Sequence, residues 1–142
     1  MTISFIDMEM EDVPQILSME RAYFSVEGYN EEQMIDMLNN KNYDMKVLKN
    51  NNIVCGYIII YKNVDFDEIF KIGVHQSLKR KGLGKIMMDY AKANCPKKLC
   101  LEVRSVNLGA VNFYLRCGFY VRTIRQNYYS LRQNALLMEF IK

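Results

Sequence analysis

The chain opens on an alternating stretch, Thr2 to Ile6, that reads as a short strand. A helix is expected over Glu11 to Tyr23, with acidic residues in its first turn, Pro14 near its start, and Val13, Ile16, Leu17 and Glu20 as an imperfect buried face. Gly28 and Asn30 break the pattern. Asn30 then caps a second helix whose first turn carries Glu31 and Glu32 and whose core face is Met34, Met37 and Leu38. β-Branched and aromatic residues take over from Tyr43 to Leu48 and from Ile53 to Tyr61, and the Asn50-Asn51-Asn52 run between them predicts a hairpin turn. A strand from Phe66 to Val74 leads into a third helix, whose core face recurs as Leu83, Ile86, Met87, Tyr90 and Ala91 and which ends before Pro96. Leu99 to Val103 is strand-like. Asn107 caps a helix through Cys117, Gly118 closes it, and strands resume at Phe119 to Val121 and at Ala135 to Ile141.

The resulting order, β-α-α-β-β-β-α-β-α-β-β, describes a mixed α/β (α+β) fold. Helices should flank a largely antiparallel sheet that contains one parallel β-α-β crossing. At 142 residues, half of them apolar, residues 1–142 read as one domain able to bury a core without metal or disulfide staples.

Charge and composition narrow the function classes. The net charge of +3 is mild, and the basic residues are clustered locally, which favours an anionic ligand over a nucleic-acid footprint. Cys55, Cys95, Cys100 and Cys117 form no C-x-x-C pair and no metal-ligand spacing, so they read as reduced thiols of a cytosolic protein. The N-terminus lacks a basic segment followed by a long apolar one, and the apolar run Tyr57 to Tyr61 is too short to span a membrane. His75, a lone histidine, excludes His-rich zinc sites, so no metal is expected.

The candidate chemistry begins at Lys79-Arg80-Lys81-Gly82-Leu83-Gly84-Lys85, a basic glycine turn between a strand and a helix. Two glycines at a helix N-terminus let backbone N–H groups face a phosphate or pyrophosphate, and the lysines and arginine add positive charge. A P-loop is excluded, because Lys79 and Ile86 stand where it needs Gly and Ser or Thr; a dinucleotide fingerprint is excluded by Met87 at its third Gly. On these residues alone, a solvated basic loop weighs as much as an anion site.

The element order together with this turn resembles the GCN5-related N-acetyltransferase superfamily, whose acetyl-CoA loop follows Q/R-x-x-G-x-G/A. Lys79 stands at the first position, where it offers a point charge in place of an amide or a planar fork. Downstream, the run L-C-L-E-V-R-S-V-N-L-G-A-V-N-F-Y-L-R-C-G-F from Leu99 to Phe119, followed by I-R-Q-N-Y-Y, is similar to the bacterial ribosomal-protein-alanine N-acetyltransferases. The similarity covers nearly the whole chain and is strong from about Ile69 to Tyr129.

The resemblance implies acetyl-CoA as cosubstrate, Glu102 as general base and Tyr114 as general acid. It further implies that the backbone of Ile72, Gly73 and Val74 binds the pantetheine arm, which requires that strand to splay from its neighbour. The Val74 N–H would face the oxyanion, the turn from Arg80 to Lys85 would seat the pyrophosphate, and Asn107 would contact the cofactor. Tyr128 and Tyr129 would shape the acceptor groove, and the acceptor would be the N-terminal alanine of a small-subunit ribosomal protein, with the oligomeric state left open. By residue type alone, Glu102 reads as a strand-face charge paired with Arg104, and Tyr114 as a core aromatic. Two segments depart from the family pattern near the acceptor: Gly28-Tyr29-Asn30 replaces P-W-S, and the loop after Tyr129 is shorter, with Ser130 and Asn134 where Pro and an acidic residue are usual.

Overall fold

A computed structural model of the chain describes residues 2–23, 29–79, 81–130 and 133–142. Its elements are β1 (Ile3–Asp7), α1 (Val13–Tyr23), α2 (Glu31–Leu38), β2 (Tyr43–Asn50), β3 (Ile53–Lys62), β4 (Asp67–Val74), α3 (Leu83–Asn94), β5 (Lys98–Arg104), α4 (Leu108–Arg116), β6 (Tyr120–Ser130) and β7 (Gln133–Ile141). Short 3-10 turns at Met10–Asp12 and Gln76–Leu78 precede α1 and α3. The strands form one seven-stranded sheet in the order β1-β2-β3-β4-β5-β7-β6. Among the described residues β4 and β5 are the parallel pair, with α3 as their crossover, and every other neighbouring pair is antiparallel.

Local chemistry accounts for the boundaries. Asn30 Oδ1 accepts from Gln33 N at 2.8 Å, and Gln33 Oε1 accepts from Asn30 N at 2.9 Å, a reciprocal cap on α2. Asn51 and Asn52 have φ of 51° and 70°, the left-handed pair that a two-residue hairpin between β2 and β3 needs. Asn107 Oδ1 accepts from Ala110 N at 3.3 Å, and Gly118, with φ of 96°, ends α4.

Two apolar layers cover the sheet. On one face α3 and α4 pack Leu83, Met87, Met88, Ala91 and Tyr114 against Ile58, Ile60, Ile69, Leu99, Leu101 and Val103. On the other, α1 and α2 pack Ile16, Leu17, Met34 and Met37 against Met45, Val47, Tyr57 and Ile59. The buried stripe of α3 differs from the sequence expectation: Ile86 is exposed and Met88 is fully buried. The stripe is turned because Gly84 leaves room for α4. A Cβ at Gly84 would lie 3.2 Å from Phe113 Cζ, so α4 occupies the flank that a larger residue would hold. The polar member of the α1 face, Glu20, is buried at 1 % exposure. It is satisfied there, accepting from Tyr57 Oη at 2.5 Å and from Tyr29 N at 2.8 Å.

Candidate active site

The site begins where β4 and β5 part. Their pairing runs through Asp67↔Leu99, Glu68↔Cys100 and Ile69↔Leu101 and stops there, although β4 continues to Val74 and β5 to Arg104. The other edge of β4 stays paired to β3, with Ile58↔Ile72, Tyr57↔Gly73 and Gly56↔Val74, and His75 N donates to Cys55 O at 2.7 Å. Alternation along an antiparallel ladder therefore turns the backbone groups of Ile72 and Val74 toward the opening and those of Gly73 toward β3. Gly73 has a different reason to be glycine: a Cβ there would lie 2.9 Å from Tyr57 Cε1.

Glu102 stands on the β5 side of this split. Leu99, Leu101 and Val103 point into the α3–α4 layer, so strand alternation places Cys100, Glu102 and Arg104 on the opposite face. The Glu102 side chain is exposed and accepts a hydrogen bond from Tyr129 Oη at 2.5 Å. Burial, with the hydrogen bond to Glu102 and its charge next, pushes the Tyr129 phenol well above its usual range and keeps it protonated. Arg104 fixes the same ring, its guanidinium carbon 4.0 Å from the ring centroid and its Nη1 donating to Gln133 Oε1 at 2.6 Å. Tyr128 meets Tyr129 edge to face at 5.2 Å and is itself exposed.

Tyr114 belongs to the α3–α4 layer. It is buried, packed between Phe113 and Phe119, and burial pushes its phenol up to about 12. Glu102 and Tyr114 thus lie on opposite faces of the sheet.

The basic turn supplies the remaining features. Gly82 has φ of 80° with open space around its missing Cβ, and Ile86 N donates to Gly82 O at 3.2 Å as α3 starts. The first-turn amides of any helix lack intrahelical acceptors, so those of Leu83, Gly84 and Lys85 are available to an anion. Lys79, Lys81 and Lys85 are exposed, with Lys85 also paired to Asp89 at 2.7 Å. Arg80 and Gly28, both singled out in the sequence, lie outside the described residues. The splayed β4 edge and the glycine-opened helix start fit an extended thioester arm joined to a pyrophosphate, as in acetyl-CoA. Among the described residues no three His, Cys, Asp or Glu side chains come together as metal ligands, and no helix is long and apolar enough to cross a membrane.

Two polar groups of β4, Glu68 and Lys71, went unnoticed in the sequence, and Glu20 was read only as a member of the α1 face. Glu68 is half-buried on the face shared with Glu102; buried Glu20 links α1 to Tyr57 and Tyr29; and Lys71 holds its Nζ 5.6 Å from the Tyr29 ring centroid. Burial raises Glu68 and lowers Lys71, and burial pushes Tyr29 up to about 12 with help from Glu20. The available signal was a polar residue in an apolar strand just before it unpairs, but the unpairing itself is not written in β4.

The chain is similar to known proteins in sequence and in fold. The family model of the acetyltransferase (GNAT) family matches residues 13–119. The [ribosomal protein bS18]-alanine N-acetyltransferase of Escherichia coli K12 is 32 % identical over 98 residues, covering 64 % of this chain and 66 % of the relative, just under two thirds of its length. A putative [ribosomal protein bS18]-alanine N-acetyltransferase of Bacillus subtilis is 26 % identical over 137 residues, covering 93 % and 91 %. The crystal structure of the ribosomal-protein-S18-alanine N-acetyltransferase from Escherichia coli superimposes with a TM-score of 0.86 at 25 % identity, over 99 % of this chain and 94 % of that one. With its matching segment reaching from α1 to the start of β6, the chain belongs to the acetyltransferase (GNAT) family.

Proposed function

We propose that the protein transfers the acetyl group of acetyl-CoA to a protein α-amine, with the N-terminal alanine of a small-subunit ribosomal protein as the acceptor. The observation that carries this reading is the split between β4 and β5, with a carboxylate on one face and a protonated phenol on the other. Bound there, acetyl-CoA would supply a thioester carbonyl whose C–S bond breaks as the C–N bond forms. The pantetheine arm is assigned to the backbone of Ile72 and Val74, with Gly73 as the spacer that lets Tyr57 close behind, and the pyrophosphate to the amides and lysines of the turn from Lys79 to Lys85, Arg80 included. Asn107 keeps its capping role beside the cofactor.

In this reading Glu102, exposed and oriented by Tyr129, collects the proton that the attacking nitrogen sheds. The Val74 N–H stabilises the developing oxyanion. Tyr114, held neutral by burial, gives its proton to the departing thiolate. No covalent enzyme intermediate is needed. An α-amine with a pKa near 7.7–8.0 is already about a tenth to a third neutral between pH 7.0 and 7.4, whereas a lysine near 10.4 is about a thousandth neutral or less, so one carboxylate suffices more readily for the former. The relatives named for ribosomal-protein alanine acetylation support the choice of acceptor.

The test is incubation with acetyl-CoA and a panel of N-terminal peptides, with spermidine as a competitor, read by mass spectrometry. The expected product is an acetylated α-amine on alanine-starting peptides. A preference for spermidine or for internal lysine would contradict the acceptor, and no acetylation of any amine would contradict the reaction.

A further inference from the structure

His75 stands between the end of β4 and the basic glycine turn. It follows Val74, the last residue of β4, and precedes the 3-10 turn Gln76–Leu78, after which the basic turn begins at Lys79. Its backbone is held on both sides: its N–H donates to Cys55 O of β3 at 2.7 Å, and its carbonyl accepts from Leu78 N at 2.9 Å. The ring adds a third hold. Ser77 directs two donors at Nδ1, its backbone N–H from 3.2 Å and its hydroxyl Oγ from 2.8 Å. A backbone amide can only donate, so Nδ1 carries a lone pair and the proton of the neutral ring sits on Nε2. The imidazole thus caps the 3-10 turn as an Asn or Asp side chain caps an Asx turn, by accepting from the amide two residues on.

A ring that accepts at Nδ1 does so only while neutral. Protonation puts an N–H at that nitrogen; Ser77 Oγ can rotate and accept from it, but Ser77 N loses its partner. Imidazole changes charge between about pH 5 and 8, so the cap is present at the alkaline end of that range and lost at the acid end. The neighbouring elements bring nothing that offsets this. His75 and Ser77 are exposed, and among the described residues neither makes an ion pair. β3 brings Cys55, whose thiol is buried, donates to Leu48 O and is pushed up by burial, so it stays neutral. The turn that follows brings the cations Lys79 and Lys81, and Lys85 at the start of α3 is paired to Asp89.

We propose that His75 is a positioning residue of the donor site: its neutral imidazole, by capping the turn after β4, sets the Val74 N–H and the basic turn at the spacing that acetyl-CoA spans, and releases that spacing when protonated. The inference rests on the acetyl-CoA reading above. His75 acts through Val74 on one side and the turn from Lys79 on the other, so its loss is felt in the affinity for the donor. The function it serves is that of an acceptor at one atom, which an amide oxygen can take over.

The experiment measures the Kd of acetyl-CoA by calorimetry for wild type, His75→Ala and His75→Asn at about pH 8 and about pH 5.5, either side of imidazole titration. At the higher pH His75→Ala should bind about fivefold more weakly than wild type, the worth of one net hydrogen bond, while His75→Asn, whose Oδ1 can accept from Ser77 N, stays within about twofold. Phosphates of the donor titrate too, so the acid comparison is made against His75→Asn, which has no titrating ring. The ratio of the wild-type Kd to that of His75→Asn should rise from about one to about threefold or more as the pH falls, because only the imidazole cap is lost. Wild-type affinity in His75→Ala, a loss in His75→Asn as large as that in His75→Ala, or a ratio that does not change with pH overturns the proposal. Wild-type protein that binds no acetyl-CoA at either pH overturns the donor reading and the proposal with it, so the two failures are distinct.

Discussion

At the scale of the residue, the site separates an exposed carboxylate from a buried phenol. Glu102 is exposed and held by one phenol, Tyr129, which is pinned in turn by Arg104. Tyr114 is walled in by Phe113 and Phe119 and keeps its proton up to a pKa of about 12. A phenol that stays protonated can donate to a thiolate but cannot compete with Glu102 for the amine's proton. Tyr114→Phe should therefore lower kcat by about 10²-fold, the typical worth of general acid catalysis. The loss should shrink when the acetyl thioester carries a more acidic thiol, because such a thiolate leaves without help. Equal kcat in wild type and variant would make Tyr114 a packing residue only. Much at this scale was legible in the sequence, because the L-E-V-R and N-Y-Y runs name Glu102, Arg104 and Tyr129. What could not be read was their mutual geometry: the expected partner of Glu102 was Arg104 two residues on, yet the hydrogen bond comes from Tyr129, brought from β6 by tertiary folding.

At the scale of the element, β4 carries most of the argument. One edge is bound to β3 along its length and the other is released after Ile69, which lets a single strand be both scaffold and ligand surface. The pinned side depends on Gly73, since Tyr57 is 1 % exposed and tied to Glu20, so it cannot retreat from an added methyl. Gly73→Ala should cost about 1–3 kcal/mol, the usual penalty of overpacking, and lower the melting temperature by several degrees in thermal unfolding. An unchanged melting temperature would mean that Tyr57 is not fixed as described. Elements whose signals are local were anticipated well: the Asn30 and Asn107 caps, the Asn51-Asn52 turn and the Gly118 stop each follow from a residue and its immediate neighbours. The buried stripe of α3 was misplaced, with Ile86 out and Met88 in, because the contact of Gly84 with Phe113 is set by α4 and leaves no trace in the periodicity of α3. Glu20 looked like a flaw in the α1 face for the same reason, since its partner Tyr57 lies 37 residues away.

At the scale of the molecule, the sheet is a partition with one opening. The α3–α4 layer presents the glycine turn and Tyr114; the α1–α2 face presents Tyr29, Lys71, Glu68, Glu102 and Tyr129. Donor and acceptor would thus approach from different sides and meet where β4 and β5 part. The order of elements and one parallel crossover were legible from their alternation, since a helix between two strands implies a parallel return, whereas the order of strands in the sheet, with β7 between β5 and β6, was not. The point at which the pair separates was expected only through family resemblance, because strand pairing is a property of two strands and of what packs beside them. The account stands on Glu102 as the base at that opening. Single-turnover acetylation of an alanine-starting peptide by wild type and Glu102→Gln, with acetyl-CoA binding measured in parallel, tests it most directly. The predicted result is a rate lower by about 10²-fold or more with acetyl-CoA affinity nearly intact; a wild-type rate in the variant would contradict the account.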